Sequence, residues 1–444
     1  MKPRNTFIML VVFLAIGSYV YFYEMKGGEK RAADKAASEK LVEINKDSVS
    51  ALYLSGPGIS LKKNSGTWTI VEPVQALSDE GAVTGIITSL ESAKREREFE
   101  EAPPAYASYG LGASAPAIIL TSPDRTDTVF VGDKNPTGAT AYVRVNHDPK
   151  IYLTAAGLVT NAQKTLFDLR DKSVMVFEVN DATSMKLKSP KIVFEARKEI
   201  GKWMLKQPVQ ALADESKITQ LLNRVRNGRV KSFIEEEATD VKQYGLDKPL
   251  YEMEVRYGGD NAIKTLRVGK AEADIYHAQD SSRPPVFGID SSIVRDFNVK
   301  LLDLRERRLT DFQSFEADEF TLEYSGESMA CKKDTSGTWR FASPDTNKVK
   351  SWKASDLLGS VSGLRAESFV EQAANMAAGL DKPRAKIFIR SKGNEVASLI
   401  IGKEQGEMVY AKGSHQPSAV MIKKADADKL FVSKQDLAEE EVKP

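Results

Sequence analysis

An internal repeat constrains the possible folds of this chain more than any single motif does. Trp68, Trp203 and Trp339 are spaced 135 and 136 residues apart, and each is followed five positions later by a proline. An apolar residue two positions after each tryptophan places both side chains on one face of a strand, which the proline then ends. A fixed spacing of this kind predicts three copies of one structural unit along the 444 residues.

An amphipathic helix is predicted after each of these prolines. Apolar residues recur there at positions i, i+3, i+4 and i+7, which lie on one face of a helix. The positions in the three copies are Val83, Ile86, Ile87 and Leu90, then Ile218, Leu221, Leu222 and Val225, then Ala354, Leu357, Leu358 and Val361. We expect Ser78, Asp214 and Ser351 to be the N-cap residues, because Ser and Asp side chains accept hydrogen bonds from the first backbone N–H groups.

Glycines mark two further repeated positions. A Gly-Leu turn begins at glycines 110, 245 and 379, and strand-like apolar runs follow each of them. A second strand then ends at a glycine in each unit, and these glycines are Gly132, Gly269 and Gly402. We expect each of them to form a tight turn that requires a positive φ angle.

The end of each unit completes the pattern. Units one and two are predicted to end in a second helix that carries Asp-Leu-Arg, at 168–170 and 303–305. Unit three departs from it, because Lys429-Leu430-Phe431 is followed by Val432-Ser433-Lys434. The sequence thus predicts an α+β fold of three tandem repeats, each an antiparallel sheet plus two helices. The predicted domains are 42–175, 176–310 and a divergent 311–437, followed by a charged tail at 438–444.

The N-terminus contains an uncharged stretch of seventeen residues, Phe7 to Tyr23. A helix of that length is ~26 Å long, near the lower limit for crossing a ~30 Å hydrocarbon core. We predict a retained N-terminal transmembrane helix within residues 1–25, the alternative being a cleaved signal peptide with Lys2 and Arg4 as its charged region. A solvated linker at 26–41 then follows, and we expect a single-pass protein of the bacterial inner membrane with most of its chain in the periplasm.

Composition excludes several classes of function. The chain has 63 basic and 62 acidic residues, so its overall charge attracts neither nucleic acid nor anionic lipid. Its single cysteine, Cys331, excludes an internal disulfide framework and a multi-cysteine metal site.

No pattern in the chain predicts catalytic, cofactor-binding or metal-binding residues. The Gly-Lys pairs at 269–270 and 402–403 lack the Ser or Thr and the upstream glycine of a phosphate-binding loop. The histidines, His147, His277 and His415, occupy non-equivalent positions in the three units. This favours surface or loop histidines over metal ligands.

Charged and aromatic residues are also explained more simply by structure than by chemistry. The carboxylates and arginine within 168–171 and 303–306 fit an ion pair or cap at a helix end better than an acid–base pair. Phe99, Phe233 and Phe369 are predicted to be the inward aromatic of a charged edge strand in each unit. The three repeated tryptophans fit core packing better than a platform for sugar stacking.

The set of motifs resembles a known bacterial family. It comprises a short N-terminal apolar segment, then units with Trp-x4-Pro, an amphipathic helix, Tyr-Gly-Leu, Val-Gly and Leu-x-Asp-Leu-Arg. The resemblance is to uncharacterised envelope proteins described only as a domain of unknown function, whose genes often lie beside those of gliding-motility-type ABC transporters. It implies an accessory extracytoplasmic component of an export or motility system, and it implies no catalytic residues.

These observations lead to three functional hypotheses. We expect a membrane-anchored, non-enzymatic interaction scaffold without cofactors, whose partners are envelope proteins such as an ABC transporter permease or its associated subunits. Tandem copies favour this hypothesis because repetition adds avidity or reach. The alternatives are a module that binds a small ligand or an envelope glycan, and an enzyme of unrecognised type.

Overall fold

The computed structural model describes residues 9, 12–14, 16–19, 21, 38–344, 346–370 and 378–439. The chain forms two compact units that are interleaved in sequence. The first comprises Met1–Val176, Asn227–Lys248 and Val268–Ser291, and the second comprises Phe177–Arg226, Pro249–Arg267 and Ser292–Pro444. Three antiparallel sheets are formed along the chain. We call the segments that carry them the first, second and third repeats.

The first sheet has nine strands in the order β4-β3-β2-β1-β6-β7-β8-β9-β5. The strands β1 to β9 are Ala51–Leu54, Ile59–Asn64, Thr67–Glu72, Ala76–Leu77, Arg97–Glu100, Ala117–Ser122, Arg125–Lys134, Thr140–Val145 and Lys150–Ala155. The first repeat also contains the helices α1 (Glu80–Glu91), α2 (Gly157–Ala162) and α3 (Leu166–Leu169). From Ala141 onward, buried and half-buried side chains alternate along β8, so one face of the sheet packs against the core.

The second sheet repeats this strand order with β13-β12-β11-β10-β15-β16-β17-β18-β14. The strands β10 to β18 are Ala182–Lys188, Val193–Glu199, Lys202–Gln207, Ala211–Leu212, Val230–Glu235, Tyr251–Tyr257, Ala262–Glu272, Ile275–Asp280 and Val286–Asp290. Its helices are α4 (Glu215–Arg226), α5 (Ser291–Arg295) and α6 (Leu301–Leu304). The boundary between the two compact units falls within β16.

The third sheet has eight strands in the equivalent order β21-β20-β19-β23-β24-β25-β26-β22. The strands β19 to β26 are Glu319–Tyr324, Glu327–Lys333, Trp339–Phe341, Ser368–Phe369, Ala385–Ser391, Asn394–Gln405, Met408–Gly413 and Val420–Lys423. Its helices are α7 (Ser351–Gly363), α8 (Lys424–Asp428) and α9 (Lys434–Leu437). Short 3-10 turns lie at Lys46–Ser48, Pro103–Tyr109, Val179–Asp181 and Val241–Tyr244.

The predicted cores of the repeated elements are confirmed. Trp68, Trp203 and Trp339 lie in β3, β12 and β21, and each is only 3% exposed. All four predicted apolar positions of α1, α4 and α7 are buried. The tryptophans are therefore core residues and are not available for stacking on a sugar.

Two of the three predicted N-caps are wrong. Asp214 accepts a hydrogen bond from the backbone N–H of Lys217, as expected. In the first repeat the cap is Asp79, because the Ser78 hydroxyl instead donates to the carbonyl oxygen of Trp68. In the third repeat the N-cap position is held by Lys350.

The predicted fold class needs correction, since the described structure consists mostly of antiparallel sheet and has few helices. Each repeat has one helix of 12 or 13 residues, and the other helices contain only four to six residues. The unit of one sheet plus two helices is therefore wrong. In the first repeat the last helix, α3, stays short because Thr165 caps its start and Arg170 at its end has an extended conformation.

The fold class is also corrected at the N-terminus. Of the predicted anchor at 7–23, only residues 9, 12–14, 16–19 and 21 are described. Within the described part of the chain, no helix combines the length and apolar character needed to cross a membrane. The domain boundaries are not tested by these observations and stay predictions, as does the location of the protein.

The prediction that the glycines of the Val-Gly motifs form tight turns with positive φ angles is wrong. Gly132, Gly269 and Gly402 lie inside β7, β16 and β24, and the positive φ angles of 70°, 71° and 66° belong to the glycines of the Gly-Leu turns. A Cβ atom at 132, 269 or 402 would lie 2.2, 2.0 or 2.2 Å from a backbone carbonyl oxygen of the facing turn. The two motifs therefore occur together because the turn packs directly on the strand, which only glycine permits.

Candidate functional site: the junctions between repeats

The first junction is made by the chain that follows α3. The backbone N–H of Asp79 donates to the carbonyl oxygen of Leu169 at 2.7 Å, which holds this chain on its own repeat. From Lys172 onward this chain is bonded to the next repeat. Val230 N–H donates to the carbonyl oxygen of Lys172 at 2.8 Å, and Val174 N–H donates to the carbonyl oxygen of Gly228 at 3.2 Å. Residues 169–174, the first junction segment, are thus bonded through the backbone to both repeats.

The second junction has the same backbone pattern. The N–H of Asp214 donates to Leu304 at 2.9 Å, and the N–H of Ala366 donates to Arg307 at 2.7 Å. Residues 304–309, the second junction segment, therefore occupy the position that 169–174 occupy one repeat earlier. The first junction lies wholly within the first compact unit and the second within the second unit.

An arginine of the preceding repeat stacks on a phenylalanine of the following repeat at each junction. The guanidinium carbon of Arg170 lies 3.5 Å from the ring centroid of Phe233, and its Nη1 donates to Glu236 Oε1 at 2.6 Å. Arg170 is only 4% exposed. The guanidinium carbon of Arg305 lies 3.3 Å from the ring centroid of Phe369. Burial of a cation over an aromatic face strengthens this attraction relative to an exposed pair.

The electrostatics of the two stacked arginines differ. Arg170 is neutralised by Glu236, whereas burial lowers the pKa of Arg305, and its Nε has no hydrogen-bond partner among the described residues. The predicted helix-end role of the Asp-Leu-Arg motif therefore accounts for only part of its chemistry. Its arginine reaches the next repeat.

A further side chain of the following repeat closes each junction, and the sequence analysis missed both. Arg283 donates through Nη2 to the carbonyl oxygens of Ser173 and Val174. At the second junction, Gln416 Nε2 donates to the carbonyl oxygens of Glu306 and Arg308 at 2.8 and 2.7 Å. The residues differ in type and sit in hairpins without a shared motif, so no repeated pattern could identify them.

In the first repeat no arginine from a preceding segment is seen on the edge strand within the described residues, and the edge strand itself is different. Glu39 and Leu41 take the place of a junction segment, since Arg95 N–H donates to Glu39 and Leu41 N–H donates to Ala93. Phe233 faces Phe287 across its strand pair, and the corresponding position in the first repeat is Glu98, which faces Tyr152. Glu98 instead bonds Lys150 at 2.8 Å.

The predicted equivalence of Phe99 with Phe233 and Phe369 is therefore wrong. The Phe99 ring lies 5.4 Å from Tyr109 and 6.3 Å from Tyr142, in a small separate cluster. The shift arises because side chains of adjacent strand residues point to opposite faces of the sheet.

The last repeat also departs at its junction position, although not where the sequence indicated. Lys350 N–H donates to Leu437, and Val349 is bridged to Ala438, as Ser78 is to Arg170 and Ala213 is to Arg305. The counterpart of the Asp-Leu-Arg motif is thus Asp436-Leu437-Ala438. The last repeat retains the turn and replaces the arginine that would reach a further repeat with alanine.

The structure does not bring the remaining candidate residues together. His147 is exposed, His277 packs edge-on against Tyr244 at 5.2 Å, and His415 lies near Glu306. The described residues contain no group of three or more His, Cys, Asp or Glu side chains that could hold a metal ion. Cys331 is fully buried, and burial raises the pKa of its thiol to about 12, so it is not a reactive thiolate.

Glu306 gives the second junction a specific pH dependence. Burial alone would raise the pKa of its carboxyl group, but hydrogen bonds from Arg308 outweigh this effect and hold the pKa below the ordinary 4.5. A lowered pKa stabilises the folded protein above pH ~4.5, and this contribution is lost as the pH falls through the folded-state pKa. Replacing Glu306 with glutamine should cost about 2 kcal/mol at pH 7 and less at pH 3.

Urea unfolding at the two pH values measures this effect, and Glu327→Gln, at an exposed position, is the matched control. An equal loss of stability at pH 7 and pH 3 in the Glu306 variant would contradict the assignment.

Comparison with known proteins identifies the family and nothing narrower. No curated protein and no solved structure shows a significant match to the chain. A family model, Domain of unknown function (DUF4340), matches twice, at residues 68–249 and 203–383. Each match starts at a repeated tryptophan and ends in the following repeat, so each contains one junction segment and the phenylalanine that its arginine contacts. Because the two matches together extend over residues 68–383, the chain belongs to the DUF4340 family of domains of unknown function.

Proposed function

We propose that the protein is a non-enzymatic interaction scaffold of the bacterial envelope. In this role its repeats engage envelope proteins, and the permease or an associated subunit of an ABC-type export or gliding-motility-like system is the partner we favour. The junctions carry the proposal. Arginine–phenylalanine contacts and shared backbone hydrogen bonds link the end of one repeat to the edge strand of the next at both junctions, as neighbouring units of a tandem array are linked.

The junction positions of the first and third repeats differ in chemistry from those of the second. Glu98 stands at the phenylalanine position of the first repeat, and Ala438 stands at the arginine position of the third.

Crosslinking of the full-length protein in its native membrane, followed by mass spectrometry, tests the proposal. We expect envelope proteins, including a transporter subunit, to be recovered with the wild type. Recovery should fall several-fold for the double variant Arg170→Ala, Arg305→Ala. The matched control is Arg197→Ala, Arg256→Ala, because those arginines lie on exposed strand positions. Recovery of no envelope protein with the folded wild type would refute the scaffold function.

A pocket in the first repeat favours the second candidate function, binding of a small ligand or glycan. It has a volume of about 400 Å³ and is lined by polar groups that include Asn45, Ser48, Arg125 and Asp127. Asp127 is 5% exposed and accepts hydrogen bonds from Arg125 and Asn146. Retention of a glycan or metabolite by the purified protein, lost on Asp127→Asn, would move the assignment to this function.

A further inference from the structure

The third repeat carries an exposed tryptophan, whereas the tryptophans of the other two repeats are buried. The chain has four tryptophans, and three of them are 3% exposed core residues. Trp352 is 59% exposed, at the second residue of α7. A tryptophan this exposed has not been placed there by the need to fill a core.

The charge around Trp352 is also reversed relative to the other repeats. The bridges that pair Ser78, Ala213 and Val349 with the closing turns make residues 77–82, 212–217 and 348–353 equivalent. The first of these segments contains two acidic residues and no basic one, and the second contains two acidic residues and one lysine. The third contains Lys348, Lys350 and Lys353 and no acidic residue.

This change works against the stability of α7. Asp79 caps α1 by accepting a hydrogen bond from Ala82 N–H at 3.0 Å, whereas Lys350 makes no side-chain cap within the described part of the chain. Lysines near the start of a helix also oppose the helix dipole. The opposite charge that Lys350 and Lys353 meet comes from α9, where they attract the Asp436 carboxylate, so this segment differs from its counterparts both in charge and in capping.

The four side chains lie within six residues at the start of α7. Lys353 Nζ lies 4.8 Å from the Trp352 ring centroid, Lys348 is exposed two residues before the N-cap position, and Lys350 and Lys353 are half-buried. We call Lys348, Lys350, Trp352 and Lys353 the tryptophan–lysine surface.

We propose that the tryptophan–lysine surface binds the surface of a membrane that contains anionic phospholipid. Indole rings partition to the boundary between headgroups and acyl chains, and lysines near an anionic bilayer are attracted to its surface. A protein partner fits less well. Interface hot spots lie within well-packed apolar patches, whereas the helix residues next to Trp352 are Ser351, Ser355 and Asp356. This proposal is independent of the scaffold function.

The burial of the other three tryptophans makes the test specific. Collisional quenching by acrylamide reports mainly on Trp352, because Trp68, Trp203 and Trp339 are shielded by the fold. The full chain is mixed with phosphatidylglycerol–phosphatidylcholine vesicles or with phosphatidylcholine vesicles alone. We expect only the anionic vesicles to shift Trp352 emission to shorter wavelength and to reduce its quenching several-fold. High salt should reverse both effects.

The variant Lys350→Glu, Lys353→Glu should bind the anionic vesicles at least about 25-fold more weakly, since each lysine contributes roughly fivefold. Lys198→Glu, Lys202→Glu makes the same charge change at exposed residues of the second repeat and should leave the response unchanged. All variants keep the uncharged segment at 7–23, so lipid binding by that segment is common to them. Equal quenching in both kinds of vesicle, or an unaltered response of the Lys350–Lys353 variant, would overturn the proposal. The proposal would also be overturned if poly-glutamate protected Trp352 from acrylamide quenching and anionic vesicles did not. That result would favour an acidic protein partner.

Discussion

Replacing Gly269 with alanine should destabilise the protein by about 3 kcal/mol. The added Cβ would lie 2.0 Å from the carbonyl oxygen of Tyr244 and 2.9 Å from the backbone carbon of Gly245. Both contacts are to backbone atoms, so the Gly-Leu turn must move away from the strand, as happens when a packed core is overfilled. The shift of the first unfolding transition in urea measures the loss.

Gly85→Ala is the matched control for this substitution. Gly85 lies inside α1, and no described atom lies within 4 Å of the position its Cβ would take. Alanine should therefore stabilise the protein by about 0.5–1 kcal/mol, because it has the higher helix propensity. The close-approach explanation would be wrong if Gly269→Ala changed stability by less than ~0.5 kcal/mol.

Removing the Arg170 side chain should uncouple the first and second repeats. The substitution Arg170→Ala deletes a buried cation that stacks on Phe233 and bonds Glu236. Glu236 keeps 40% of its side chain exposed and is rehydrated without a large penalty. We therefore expect a loss of about 2–3 kcal/mol and a broadened or divided unfolding transition.

A double-mutant cycle separates stacking from general damage. Arg170→Ala and Phe233→Ala should show a coupling energy of about 1–2 kcal/mol, and Arg170→Lys should recover little of it because the ammonium lacks the planar guanidinium face. Arg197→Ala, which removes an exposed arginine, should stay within ~0.5 kcal/mol of the wild type. Additive effects at Arg170 and Phe233 would show that the repeats are held together by other contacts.

Much of the core packing within each repeat was predictable from sequence. The buried positions of α1, α4 and α7 and the burial of the three repeated tryptophans follow from local periodicity, and the structure confirms them. Periodicity failed in the region after β9. There the apolar residues of a supposed second helix belong to separate single turns, α2 and α3.

The alignment of the repeats was less predictable than their number. The sequence pattern places the counterpart of the Asp-Leu-Arg turn beside Leu430 in the third repeat. The structure places that turn at 434–437. The edge strand of the first repeat was misaligned by one residue, which exchanges the two faces of the strand. Errors of a few residues cannot be recognised from the apolar pattern alone when neighbouring positions are also apolar or aromatic.

The sequence by itself determined that the chain is a tandem array, where its buried faces lie and which residues recur in every copy. It did so because strand alternation and helix periodicity are local, and every residue that shows them is within a few positions of the next. The junctions were decided only by the tertiary structure. Arg170 and Phe233, or Arg305 and Phe369, are more than sixty residues apart in sequence. Their contact exists because the folded sheets bring the end of one repeat against the edge strand of the next.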